Sequence, residues 1–201
     1  MPENAVIFDL GGVLIDWNPR YVYSKVFDTE SATEWFLENI CTPDWNLSID
    51  AGKPFAIAVS ELCTIHPEWT EQISAFHLRW EEMLGGEIVE SVRILKEIQS
   101  KGYPVYGLTN WSAETFPIAR NRYEFLETLD GIVVSGEEKL IKPDPAIFRI
   151  LIDRFNLKAG NCIFIDDNPH NTAAAAELGF CTIGFSDPAQ LRKDLCIAGI
   201  L

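Results

Sequence analysis

The order of apolar runs in this chain predicts an α/β fold, in which a parallel sheet lies between two helical layers and a helical insertion follows the first strand. The first observation behind it is a recurring pattern. Short runs rich in β-branched or aromatic residues occur at 5–8, 105–108, 131–134, 162–165 and 181–185, and from the second onward each is separated from the next by a helical pattern. Strands joined through helices pair in parallel by right-handed crossovers, with both sheet faces covered. The second observation is a gap: between residues 15 and 88 the apolar positions keep helical spacing, and no strand is read there.

The first strand, Ala5-Val6-Ile7-Phe8, ends at Asp9 and runs into Leu10-Gly11-Gly12. A continuous apolar run bounded by glycines reads as a buried parallel strand, and it delivers a carboxylate to the sheet edge where ligands bind in open α/β sheets. Gly11 and Gly12 allow a sharp turn and bring backbone N–H groups near whatever Asp9 faces. Asp16 to Arg20 reads as a turn and helix start, 21–27 and 32–40 as amphipathic helices, and Thr42-Pro43-Asp44 and 49–54 as breaks. Helical spacing resumes over 55–63 and 68–84 and stops at Gly85-Gly86. Five of the six tryptophans fall in this block (Trp17, Trp35, Trp45, Trp69, Trp80), as the core of a small bundle would require. The expected division is therefore a core of 1–14 and 89–201 with a helical cap of 15–88.

Beyond the insertion, 89–101 is helical with Gly102 after its end, and 105–108 is a strand leading into Thr109-Asn110-Trp111-Ser112. A helix over 113–123, a strand over 131–134 and a polar loop over 137–142 lead to Lys142-Pro143-Asp144-Pro145. The helix 145–155 precedes the strand 162–165, which closes on Asp166-Asp167-Asn168-Pro169. A helix over 172–178, a strand over 181–185 and a helix over 188–196 complete the pattern.

Composition narrows the function. The 201 residues carry 16 Lys+Arg against 30 Asp+Glu, a formal charge of −14, and a nucleic-acid binder needs the basic face that this balance does not supply. Five cysteines, odd in number and without a C-x-x-C pair, suggest neither a disulfide framework nor a zinc site. No basic region precedes the first apolar run and no stretch is long enough to span a bilayer, so the expectation is a cytoplasmic protein without a membrane partner. Oligomeric state is not legible.

Asp9, Thr109-Asn110, Lys142-Pro143 and Asp166-Asp167 thus fall, in chain order, at one edge of one sheet. This ordered set resembles the haloacid dehalogenase-like (HAD) superfamily, and the resemblance covers essentially the whole chain. The K-P-D-P-x-I-F and D-D-N-P forms resemble its helical-cap subgroup, which has a Rossmann-like core. The resemblance implies a small phosphorylated metabolite as substrate and Mg²⁺ as cofactor. Asp9 would be the nucleophile and form an aspartyl-phosphate. The Thr109 hydroxyl and the Asn110 backbone N–H would bind phosphoryl oxygens, with Lys142 neutralising charge. Asp167, Asp166 through water, an Asp9 oxygen and the Gly11 carbonyl would hold the metal, and Asn171 would orient Asp167.

One departure matters. Phosphatases of this superfamily carry an acid two positions after the nucleophile to protonate the leaving group, and here that position is Gly11. A 2-haloacid dehalogenase, which also lacks that acid, and a non-catalytic ligand-sensing relative stay open as alternatives. The dehalogenases typically lose the acidic pair, which is intact here. A phospho-accepting receiver domain is excluded by chain order, since its acid pair lies near the first strand. Trp17, Asn18, Arg20, Trp45 and Trp111, together with Gly11, Gly12 and Asn110, are the candidates to line the substrate site. The aromatics would suit a sugar phosphate, and Asp16 is the nearest acid in sequence that could replace the missing one.

Overall fold

The computed structural model describes residues 4–201. Seven strands form: β1 (Ala5–Phe8), β2 (Ile15–Trp17), β3 (Leu84–Glu87), β4 (Val105–Thr109), β5 (Gly131–Val134), β6 (Cys162–Asp166) and β7 (Cys181–Gly184). Five of them make a parallel sheet in the order β5-β4-β1-β6-β7, with β1 in the middle. Its residues alternate between two cores, as a period of two demands. Val6 and Phe8 join Leu95, Ile98, Leu191 and Leu195 on one face; Ile7 joins Phe148, Leu151, Phe164 and Phe180 on the other. This is the three-layer arrangement expected from the sequence. Phe8 lies opposite Gly107 of β4 and Ile165 of β6, so Asp9 leaves the sheet between the ends of those two strands.

Between β2 and β3 lie α1 (Arg20–Tyr23), α2 (Glu30–Asn39), α3 (Pro43–Asp50), α4 (Phe55–Ile65) and α5 (Thr70–Leu78), with 3-10 turns at Pro67–Trp69 and Trp80–Met83. Tyr23, Phe36 and Phe76 are buried at their centre, packed by Phe27, Trp69 and Trp45. Each such ring contributes roughly 2 kcal/mol of burial.

Several expectations for this segment change. It is not free of strands: β2 and β3 form an antiparallel ribbon, with Ile15 opposite Glu87 and Trp17 opposite Leu84. Strands of three and four residues are too short to show a period of two. Gly85, read as a helix stop, lies in β3, where a Cβ would displace the Asp16 carboxylate and the Tyr21 ring. Thr42-Pro43-Asp44 is a helix start and not a break. The Thr42 hydroxyl accepts a hydrogen bond from the Trp45 N–H (3.1 Å) and Pro43 occupies the first turn, where its missing N–H costs nothing. The single helix read over 68–84 is α5 flanked by its two 3-10 turns, and the helix read over 21–27 is only the one-turn α1.

The remaining helices are α6 (Val89–Ser100), α7 (Phe116–Arg122), α8 (Ser135–Glu138), α9 (Pro145–Phe155), α10 (Pro169–Glu177) and α11 (Pro188–Ile197). The one-turn α8 occupies part of what read as polar loop, and it stops at Lys139, whose φ is 57°. Asp144 and Asn168 cap α9 and α10 through their side-chain oxygens, each followed by a proline in the first turn. Among the described residues no helix is long and apolar enough to cross a membrane.

Candidate active site

The ends of β1 and β6 and the loop before α9 converge on one buried lysine. Lys142 is 1% exposed, and its Nζ lies 2.9 Å from Asp9 Oδ1 and 2.7 Å from Asp166 Oδ2. The backbone around Lys142 is clamped by Asn110, at the end of β4. Its side chain accepts from the Lys142 N–H (2.8 Å) and donates to the Lys142 carbonyl (3.0 Å). The Asn110 side chain thus serves the lysine loop, a use that the sequence pattern did not reveal.

Asp166 is wholly buried and its acceptors are filled. Besides Lys142 it takes the Asn168 N–H (2.8 Å) and both of its oxygens accept from Asn171 Nδ2 (3.0 and 3.1 Å). Asn171 therefore orients Asp166 and not Asp167, because on the first turn of α10 it points back at the strand end. Asp167 is exposed and lies against Gly12, where a Cβ would come within 2.5 Å of its carboxylate. With φ at 76°, Gly12 is required on both steric and conformational grounds.

Burial pushes the Asp9 carboxyl up to about 7, Asp166 and Asp167 add to this, and Lys142 opposes it. Burial disfavours the charged lysine, but Asp9 and Asp166 outweigh it and raise its pKa. One cation thus faces three carboxylates, and oxygens of Asp9, Asp166 and Asp167 lie within 4.8 Å of one another. Hard oxygen donors in excess negative charge fit a divalent cation such as Mg²⁺.

Beside this cluster is a cavity of about 80 Å³. Of the residues the sequence offered for the substrate site, Gly11, Trp17, Asn110 and Trp111 line it, and so do Asn46, Asp50, Trp80 and Thr115, which sequence reasoning missed. A second cavity of about 400 Å³ shares Trp17 and Asn46 with it and includes Asn18 and Arg20. Arg20 is held by a two-point pair with Glu34 (2.6 and 2.5 Å). Trp45 is on neither wall: it packs on Phe76 and donates to the Ala58 carbonyl (3.3 Å). Asp16 accepts from the Tyr21 hydroxyl (2.5 Å) in the β2–β3 ribbon and is also off both walls. Thr109 Oγ1, Trp111 Nε1 and Thr115 Oγ1 are buried without a hydrogen-bond partner, a costly state that a bound polar group relieves.

Asp50, the last residue of α3, is the acid of the cavity wall. Asn46 Nδ2 donates to its Oδ2 (3.0 Å) and its carbonyl accepts from Ser135 Oγ (2.6 Å). Burial pushes its carboxyl up to about 7, against the influence of the Ser112 backbone N–H and the field of Lys142. The sequence held one signal for it. A helix begun at Thr42-Pro43 and run for two turns ends at Asp50.

The comparisons with known proteins agree with this geometry. The family model of the haloacid dehalogenase-like hydrolases matches residues 3–179. A sesquiterpene phosphatase of Aspergillus oryzae is 26% identical over 207 residues, spanning 95% of this chain and 94% of that protein. An (S)-2-haloacid dehalogenase of Burkholderia cepacia is 27% identical over 94 residues, 47% of this chain and 41% of that one. A HAD family enzyme of Bacteroides thetaiotaomicron, solved with magnesium and inorganic phosphate, superposes with a TM-score of 0.70 over 92% of this chain and 94% of that one, at 22% identity. With the family matched over most of its length and a buried lysine set between an acid on the first strand and an acid pair on the fourth strand of its sheet, the chain belongs to the haloacid dehalogenase-like hydrolases.

Proposed function

We propose that this hydrolase cleaves a small phosphomonoester through an aspartyl-phosphate on Asp9, with Mg²⁺ as cofactor. The observation that carries this reading is the approach of three carboxylates, Asp9, Asp166 and Asp167, within 4.8 Å of one another, which a metal-free dehalogenase does not need. A relative matched over nearly its full length is named a phosphatase, and a structural neighbour was solved with magnesium and phosphate.

Asp9 attacks phosphorus in line, and the ester oxygen leaves as an alcohol. Lys142, 2.9 Å from Asp9, favours its ionised form and faces the charge gathering on the phosphoryl group. The free hydroxyl of Thr109 donates to a phosphoryl oxygen, together with the backbone N–H of Asn110. Asp9, Asp167 and the Gly11 carbonyl would hold the cation, with the filled Asp166 carboxylate adding negative charge beside it, and the cation would supply further neutralisation of phosphoryl charge. The segment 15–88 acts as a cap: it brings Trp17, Asn46, Asp50 and Trp80 over the site and shapes the choice of substrate.

The test is phosphate release from a panel of phosphorylated metabolites, with 2-haloacids alongside, with and without EDTA. Release should need Mg²⁺ and should be lost in Asp9→Asn and Asp167→Ala, the first by on the order of 10⁴-fold. Halide release that persists in EDTA, with no phosphate from any metabolite, would hand the site to the dehalogenase reading.

A further inference from the structure

Gly11 leaves a phosphatase without its usual proton donor, and the cavity that Gly11 lines has an acid on its wall. We propose that Asp50, delivered by α3 from the helical segment, is the proton donor and acceptor of the reaction; the inference rests on the phosphatase reading.

Among the described residues Asp50 is the one acid on the cavity wall, which it shares with Gly11 and Asn110. Nothing at Gly11 fills the space that a side chain would take, for a Cβ built there meets no atom within 4 Å. Asp16 is turned to Tyr21, and Glu114 is occupied by the Phe55 N–H (2.9 Å). Trp111 Nε1 and Thr115 Oγ1, buried and without partners on the same wall, offer donors to a ligand lying beside Asp50. The carboxyl is held by Asn46, and Ser135 Oγ ties its carbonyl to the core. Its protonation is set by opposing influences. Burial favours the neutral acid, as does its place at the negative end of α3. Lys142, the charged group that acts on it, and the Ser112 N–H favour the carboxylate. The balance lies at about 7, where an acid can both give and take a proton.

The step balances. As the bond from Asp9 to phosphorus forms and the ester P–O bond breaks, the Asp50 carboxyl gives its proton to the leaving oxygen. The resulting carboxylate then takes a proton from the water that attacks phosphorus, Asp9 leaves with its electron pair, and Asp50 is again an acid.

The experiment uses the full chain with Mg²⁺, p-nitrophenyl phosphate and phenyl phosphate, and Asp50→Asn beside wild type. Nitrophenolate leaves unaided and phenolate does not. The variant should therefore lose about 10²-fold or more in kcat/KM on phenyl phosphate. On p-nitrophenyl phosphate it should keep a stoichiometric burst followed by slow turnover, because the aspartyl-phosphate then waits for an unassisted water. Equal losses on both substrates without a burst, or no loss on either, would overturn the assignment. Should Asp50→Asn fold poorly, Asn46→Ala serves instead. Removing the donor to Oδ2 should move the alkaline limb of kcat/KM to higher pH, and an unmoved limb would overturn the proposal as well. Wild type that releases no phosphate from either ester refutes the phosphatase reading itself, and Asp50 falls with it.

Discussion

The floor of the site and its wall are built to different standards. On the floor, both oxygens of Asp166 and the backbone N–H and carbonyl of Lys142 have partners within the protein, through Lys142, Asn110, Asn168 and Asn171, while Thr109 Oγ1 and Asn171 Oδ1 are left without one. On the wall, Trp111 and Thr115 are just as buried yet hold polar atoms with no partner, and Asp50 keeps a carboxyl that burial disfavours as an anion. A floor whose charged groups are paired is held in place by the protein itself, whereas the unpaired atoms of the wall leave polar groups open to a ligand. The comparison can be broken at either side.

The largest effect belongs to the floor. Lys142→Met removes the one cation among three carboxylates and leaves two of them buried without a counter-charge. Breaking a buried pair from one side costs about 3–5 kcal/mol, so chemical denaturation should show a loss of that order together with loss of turnover. A loss below about 1 kcal/mol would mean that solvent already reaches the cluster and that the floor is no more settled than the wall.

This difference also governs what the sequence could reveal. β1 and the strand ends were legible because a strand buried on both faces is a continuous apolar run, and because Asp9, Thr109, Lys142 and Asp166 fall at the ends of such runs or in the loops between them. The ribbon of β2 and β3 was not, since three or four residues carry no period. Asp50 was hidden for another reason. Its partners Ser112 and Ser135 lie far along the chain, and the proline and glycine around α3 read as breaks although they bound a two-turn helix. The use of Asn110 as a clamp on Lys142 likewise exists only once β4 and the loop before α9 are side by side.

A middle-sized effect tests the wall through its acid. Asp50 has an ordinary value of 3.8 and is held at about 7 in the fold. An acid raised in the folded state costs nothing below its unfolded pKa. Above it, folding must take up a proton, so stability falls between about pH 4 and pH 7 and is then level. Asp50→Asn should therefore melt like wild type at pH 4 and be more stable at pH 8, by on the order of 4 kcal/mol. Lower stability at both pH values would show that the bond from Asn46 to the carboxylate holds the helical segment in place, and the wall would then be as self-supporting as the charged groups of the floor.

The smallest effect is the sharpest, because it separates the two standards at a single atom. Thr115 stands at the N-cap position of α7, where a hydroxyl ordinarily accepts a backbone N–H and its removal costs about 1 kcal/mol. Here it accepts none: Oγ1 is buried without a partner, and the residue lines the cavity beside Asp50. Thr115→Val keeps the shape and removes only the unsatisfied oxygen, so no cap is lost and a desolvation cost disappears. Stability should stay level or rise by about 0.5–1 kcal/mol. If the hydroxyl is kept free for substrate, KM should rise several-fold while kcat changes little, since Thr115 lines the cavity and is not one of the charged groups paired around Lys142. Lower stability with unchanged KM in the Thr115→Val variant would mean that the hydroxyl serves the fold after all, and the contrast between floor and wall would lose its clearest case.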